Sequence, residues 1–366
     1  MAIDKVTSAA LETSTNQPGF RNIIINGDMS IAQRGTSQTG TTSSGYYTVD
    51  RMYFSVSSAG TWTQTQSTDV PTGQGFSSSW KIDCTTANGS LSAGSILSVM
   101  HRLEGQMLQY LKKGTANAES LTLSFWIKSN KTGTYIAEIK DTDNTRIISK
   151  SYTINVADTW EKKTITFEGD TTGAFTNDNG LSCLVSFWLA AGTDYTSGTL
   201  ATSWENQVSA NRAVGQVNLA DSTSNELYLT GVQLEAGTSA SDFEFLPVDV
   251  NLDRCYRYFQ MMHSGSANKG MGLGWYSSNT NARFVPVMKK TMRSTPSFYQ
   301  TTSSDGFRLF TAGGGNDNIT SWSVQDSTNK NFALGYNTSE ASGTGGQVGY
   351  VLTNNDSNYF GLEAEL

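Results

Sequence analysis

The chain has 366 residues, with 25 Lys and Arg against 32 Asp and Glu, a formal net charge of -7. A mildly acidic chain with no cluster of basic residues excludes nucleic acid as its main partner, because phosphate binding needs such clusters. Charged residues make up only 16%, and 35 Gly stand against 5 Pro, a mixture that suits strands and turns better than long helices.

Supply narrows the chemistry further. With only two histidines, His101 and His263, a His-based metal site or catalytic triad is nearly ruled out on supply alone. Cys84, Cys183 and Cys255 are odd in number, far apart and set among apolar neighbours; they read as buried thiols, with no metal-ligand spacing. No apolar run is long enough to cross a membrane, and the first residues lack the regions of a signal peptide. These features predict a soluble protein made in a cytosol, without membrane insertion.

In chain order, residues 1–20 form a leader, with Ile3, Val6 and Ala10 on helical spacing. It is either a frayed terminus or a docking peptide that orders on a partner. From Arg21 the pattern alternates with period 2. Met52, Phe54 and Val56 share a face, as do Trp80, Ile82 and Cys84. Leu121, Leu123, Phe125 and Ile127 form a third inward set, and Leu181, Cys183, Val185, Phe187 and Leu189 a fourth. Polar turn clusters separate these strands, and one helix is expected at "EGQMLQYLKK". Strands with almost no helix predict a β-sandwich. Pro247 ends it, "VDVNLD" is a hinge, and a second alternating set begins at "CYRYFQMM".

Few residues point to a site. The acids sit mostly in turns, where Asp and Asn shape the backbone, and no nucleophile elbow, phosphate loop or HExxH is present. "GTGGQVG" has the wrong spacing for a dinucleotide, so no cofactor is expected. Asp141, Asp143 and Asn144 could offer oxygens to Ca²⁺, but the EF-hand pattern is not completed and no metal is assigned. Trp126 and Trp188 fall opposite to the core phase of their strands. They could form a stacking platform for sugars. Alternatively, loops or a neighbouring subunit cover that face, or the phase is inverted and both are core. Tyr256 and Tyr258 are candidates for an inter-subunit contact, or for burial inside the second domain.

Taken together, "NIIINGDMSIAQRGTS", "YTVDRMYF", "LTLSFWIKS", "DTWEKKTITF" and "LYLTGVQLEAGTSASDFEF" resemble the jelly-roll module of bacteriophage tail fibres and related virion appendages. That module is similar in plan to carbohydrate-binding sandwiches. "LDRCYRYF", "MRSTP" and the final "LEAEL" resemble the C-terminal part of such proteins, and "MAIDKVTSAAL" their particle-attaching N-termini. The resemblance implies an all-β chain: a docking leader over 1–20, a jelly-roll β-sandwich over 21–248 and a second, smaller β-sandwich over 249–366. It implies a non-enzymatic virion structural protein, assembled in the host cytoplasm as a homotrimer. Its N-terminus would hold a tail or adaptor protein, and its sandwiches would meet a host-surface glycan or protein. A capsid decoration or head fibre is the alternative, and a polysaccharide depolymerase a more distant one. Asp50 and Arg51, in "VDRM", are expected to be structural.

Overall fold

A computed structural model describes residues 20–264, 270–300, 306–311, 316–325, 328–330, 333–338, 343–353 and 359–366. The leader, apart from Phe20, lies outside the described residues. By backbone contact the chain divides into two units, one ending at Asn251 and also taking in Leu366, the other running from Leu252 to Glu365.

The first unit packs two six-stranded antiparallel sheets. The first has the order β1 (Ser37–Thr41), β3 (Thr61–Ser67), β4 (Ser79–Thr86), β12 (Glu226–Ala236), β6 (Leu121–Ser129) and β9 (Glu161–Phe167). The second runs β11 (Glu205–Asn206), β8 (Arg146–Ile154), β7 (Gly133–Asp141), β10 (Leu181–Ala191), β5 (Ile96–Glu104) and β2 (Met52–Ser57). The last long strand, β12, slots between β4 and β6, and β5 lies between β10 and β2, as a jelly roll requires. The four alternating sets face inward as the sequence predicts, except that Leu181, at its strand's end, is only half buried. Between the sheets Phe125 meets Phe187 edge-on at 4.9 Å and Tyr152 at 5.1 Å. Each such ring contributes about 1.5–3 kcal/mol by leaving water.

The two ends of this unit are clasped together. Ile23 donates its N–H to the Leu234 carbonyl (2.9 Å), and Asn22 uses its side chain on Val232 and Leu234. Arg21 and Asn22 donate backbone N–H groups to the Glu244 carboxylate. Asn251 accepts the Asn26 N–H at 3.2 Å and donates to Asp28 and Ser30. Nearby, Asp50 accepts from the backbone and side chain of Gln33, and the buried Arg51 (φ 69°) donates to the Arg102 carbonyl. This pair ties the entry to β2.

Two local expectations are corrected. "EGQMLQYLKK" is not an α-helix but two 3₁₀ turns, Gly105–Met107 and Gln109–Leu111, stopped where Lys112 turns left-handed at φ 53°. So short a segment gains too few hydrogen bonds to nucleate an α-helix. Likewise "CYRYF" does not open a strand. A helix spans Val248–Tyr256, and β13 begins only at Phe259. The helix signals are present: Pro247 precedes it and its carbonyl takes the Asn251 N–H, Asp249 lies in the first turn and Arg254 in the last, matching the helix dipole.

Among the described residues the second unit is all-β after that helix. A three-stranded sheet runs β13 (Phe259–Ser264), β21 (Tyr359–Glu363), β16 (Ser297–Gln300). Six further strands close a barrel in the order β14 (Gly270–Tyr276), β15 (Asn281–Phe284), β19 (Ala333–Thr338), β18 (Asn316–Gln325), β17 (Phe307–Thr311) and β20 (Val348–Thr353). Its strands are thus joined into a ring where the sequence reading set them in a sandwich. Alternation states which face of a strand is apolar, not whether the end strands of a sheet meet, and here β14 meets β20. Tyr276, Phe284, Leu309 and Val351 are buried in this unit's core. On the barrel's other face Leu273, Tyr350 and Phe310 lie side by side across β14, β20 and β17, with Val348 next to them, all exposed.

Candidate ligand-binding cleft

Trp126 sits on β6 with its side chain on the outward face of the first sheet. Its cross-strand neighbours are Lys162 on β9 and Thr230 on β12. Beside it β12 carries a bulge between Thr230 and Gln233. Gly231 occupies the bulge at φ 61°, and a Cβ there would lie 2.6 Å from the Phe76 ring and 3.1 Å from Trp126. Only glycine tolerates both that backbone and those rings.

Two segments complete the site. The turn after β3 brings Gly73, Gln74 and Phe76, and the tail after β12 brings Asp242, Phe243 and Phe245. Phe76, Phe243 and Phe245 contact one another with ring centres 4.9–5.1 Å apart. The tail is fixed by the Glu244 N–H donating to Gln233 (2.8 Å), by Ser241 donating to Glu235, and by Arg21 donating to the Asp242 carbonyl (2.7 Å). The result is a cleft of about 300 Å³ with an aromatic wall and a polar rim. Phe245 is 49% exposed. The side chains of Lys162, Asp242 and Gln74 are exposed on the rim, with no hydrogen-bond or ion-pair partner among the described residues.

Further along the same face a second aromatic group is already satisfied internally. Lys128 lies 4.2 Å from the centre of the Tyr228 ring and pairs with Asp69, which also accepts from the Trp160 indole at 3.0 Å. Lys81 pairs with Glu226 at 2.6 Å. Burial pushes Asp69 up, but the Lys128 and Trp160 hydrogen bonds outweigh it and hold the carboxyl below its usual range. This group braces β9 rather than offering free polar atoms.

Trp188 does not join Trp126. It lies on β10, in the other sheet, and is 2% exposed. The segment between β10 and β12 covers it: Tyr195 lies at 5.4 Å, Ala213 packs on it, and the Arg212 guanidinium sits 4.9 Å from its ring. Arg212 is held there by a double hydrogen bond to the buried Glu138, at 2.6 and 2.9 Å. Trp188 therefore cannot stack a ligand, which corrects the platform of two tryptophans. Tyr258 is fully buried, its carbonyl accepting the Ala364 N–H, and so offers no subunit contact. Tyr256, at the helix end, is half buried, with the Lys289 ammonium 4.8 Å from its ring centre. The residues that sequence reasoning missed are Phe76, Gly231, Phe243 and Phe245, together with Gln74, Lys162 and Asp242 on the rim. The alternating Phe243 and Phe245 in "DFEFLP" are their visible signal.

The acidic turn after β7 is also accounted for. Asp141 is buried and accepts the N–H groups of Asp143 and Asn144. Its other oxygen meets the Lys113 ammonium at 2.5 Å. That ammonium also contacts Asp170 and the carbonyls of Thr172 and Gly173, so a lysine supplies the positive charge these oxygens face. No group of three metal-ligating acid, His or Cys residues occurs among the described residues.

No protein-family model and no curated protein matches the chain. Among solved structures it is similar to the enzymatically active domain of tailspike protein 4 of bacteriophage CBA120, at 15% identity and a TM-score of 0.31, over 59% of this chain and 21% of that one. The chain thus spans about a fifth of that tailspike structure. It is similar to the family 11 carbohydrate-binding module of Clostridium thermocellum in complex with a mixed-linked tetrasaccharide, at 12% identity, 58% and 95% coverage and a TM-score of 0.25. It is also similar to the module TmCBM61 in complex with β-1,4-galactotriose, at 9% identity, 59% and 99% coverage and a TM-score of 0.25.

Proposed function

We propose that the protein is a bacteriophage virion component, a tail fibre whose sandwich domain binds glycans of the host surface. The observation that carries the binding role is the cleft beside Trp126. Apolar rings form its wall, and unengaged polar groups of both signs stand on its rim, the chemistry that takes a sugar's C–H face and its hydroxyls together. The tail-fibre role rests on the sequence resemblance. Binding rather than catalysis suits the lining, because glycoside hydrolysis needs two carboxylates and Asp242 is the one carboxylate there. Weak single sites would be multiplied by copies of the chain in a homotrimer and on the particle.

The test is a glycan array with the purified chain and a Trp126→Ala variant. Wild-type protein should retain a subset of glycans, and the variant should lose them while keeping the wild-type circular dichroism and melting temperature within a few degrees. Retention unchanged in the variant would sink the cleft as the site. Immunolabelling of intact particles checks the location: label on capsids and not on tails would replace the tail fibre with a head decoration.

A further inference from the structure

The charges on the outward face of the first sheet are unevenly spent. Lys81, Lys128 and Lys162 stand on strands β4, β6 and β9 of that face, with β12 between β4 and β6. Lys81 is neutralised by Glu226 and Lys128 by Asp69. Lys162, the one beside Trp126 and in the cleft, has no such partner among the described residues. Among the described residues the one carboxylate lining the cleft is Asp242, and its neutral polar side chains are the Gln74 amide and the Ser124 hydroxyl. On a chain of net charge -7, a cation without an ion-pair partner beside the half-buried Trp126 indole is a local exception to the overall field.

We infer that the cleft takes an acidic sugar, a pyranose carrying a carboxylate, such as a hexuronic acid. This rests on the glycan-binding reading above. In a hexuronic acid the carboxylate on C5 lies across the ring from the hydroxyls on C2 and C3. The apolar ring face stacks on Trp126 and the carboxylate pairs with the Lys162 ammonium. The vicinal hydroxyls donate to Asp242 and exchange hydrogen bonds with Gln74. A neutral hexose would offer Lys162 only a hydroxymethyl group. It would then lose the charge-assisted bond, the stronger kind.

The experiment is calorimetric titration of the full chain with α-1,4-trigalacturonate and with α-1,4-galactotriose, which share ring stereochemistry and linkage and differ in the carboxylates. Wild type should bind the acidic trimer about tenfold or more tightly than the neutral one, and that margin should shrink with added salt. Lys162→Gln should lower the affinity for the acidic ligand far more than for the neutral one, so that the margin between them disappears; Trp126→Ala should lose both. Equal affinity for the two trimers, or a margin that survives Lys162→Gln, overturns the acidic preference while the glycan reading stands. Absence of binding to either trimer, together with a blank glycan array, overturns both.

Discussion

Arg212 reaches over β7 and β10, its guanidinium doubly bonded to Glu138 and lying on the Trp188 ring. Burial alone would lower its pKa, but the Glu138 carboxylate outweighs that and raises it, so the guanidinium stays charged. Removing one member of a buried pair leaves the other charge stranded, at about 3–5 kcal/mol. Arg212→Ala should therefore lower stability by that order in urea unfolding, and Trp188 fluorescence should become accessible to a quencher; an unchanged midpoint would refute the brace. In sequence, Trp126 and Trp188 are equivalent, each an out-of-phase tryptophan on an alternating strand. What separates them lies outside the two strands: Tyr195, just after β10, and Arg212 and Ala213, beyond β11, cover one, while Gly231 leaves room beside the other. Alternation encodes the face of a strand, not what comes to lie on that face.

At the scale of elements, three strands carry the cleft, β6, β9 and β12, and two of them make predictions of their own. In β12 the bulge at Gly231 sets how close Phe76 and Trp126 approach. Gly231→Ala forces a left-handed backbone and a ring displacement. It should cost about 1–3 kcal/mol and weaken glycan retention more than a surface change such as Thr164→Ala; equal retention would show that the bulge does not shape the site. In β9 the first residue, Glu161, accepts from the N–H groups of Asn155 and Val156 and pairs with Lys163. Burial opposes ionisation, yet these donors win and hold its carboxyl down from 4.5 to about 2. A depressed acid stabilises the fold above its unfolded pKa and loses that contribution as pH falls. The melting-temperature gap between wild type and Glu161→Gln should accordingly close between pH 4.5 and about 2. A gap independent of pH would contradict it. The inward faces of β2, β4, β6 and β10 were readable because period 2 is a local property. The bulge, like the 3₁₀ turns at Gly105 and Gln109, depends on contacts with distant segments and left no periodic trace.

For the whole molecule, the barrel of the second unit presents Leu273, Tyr350, Phe310 and Val348 on adjacent strands. Contiguous exposed apolar surface of this kind marks contact sites in soluble proteins, and uncharged surface is where copies of a chain at net charge -7 repel least. If the chain assembles with itself, as proposed, Tyr350→Asp should shift its mass in light scattering toward the monomer with the circular dichroism kept. Tyr258→Asp should instead unfold the unit, since Tyr258 is buried. An assembly indifferent to Tyr350→Asp would move the contact elsewhere. The all-β class was legible from composition and alternation, whereas ring closure was not, because it depends on which strands become neighbours at the ends of a sheet. The clasp of residues 21–30 against residues 232–251 has a mechanical consequence. The chain enters the jelly roll and leaves it at the same place, joined by the bonds of Arg21, Asn22, Ile23 and Asn251. Tension drawn through the chain from Phe20 to Asn251 is then borne by those few bonds. The sandwich core hangs beside the line of force, and its sheets carry load only after the clasp has given way.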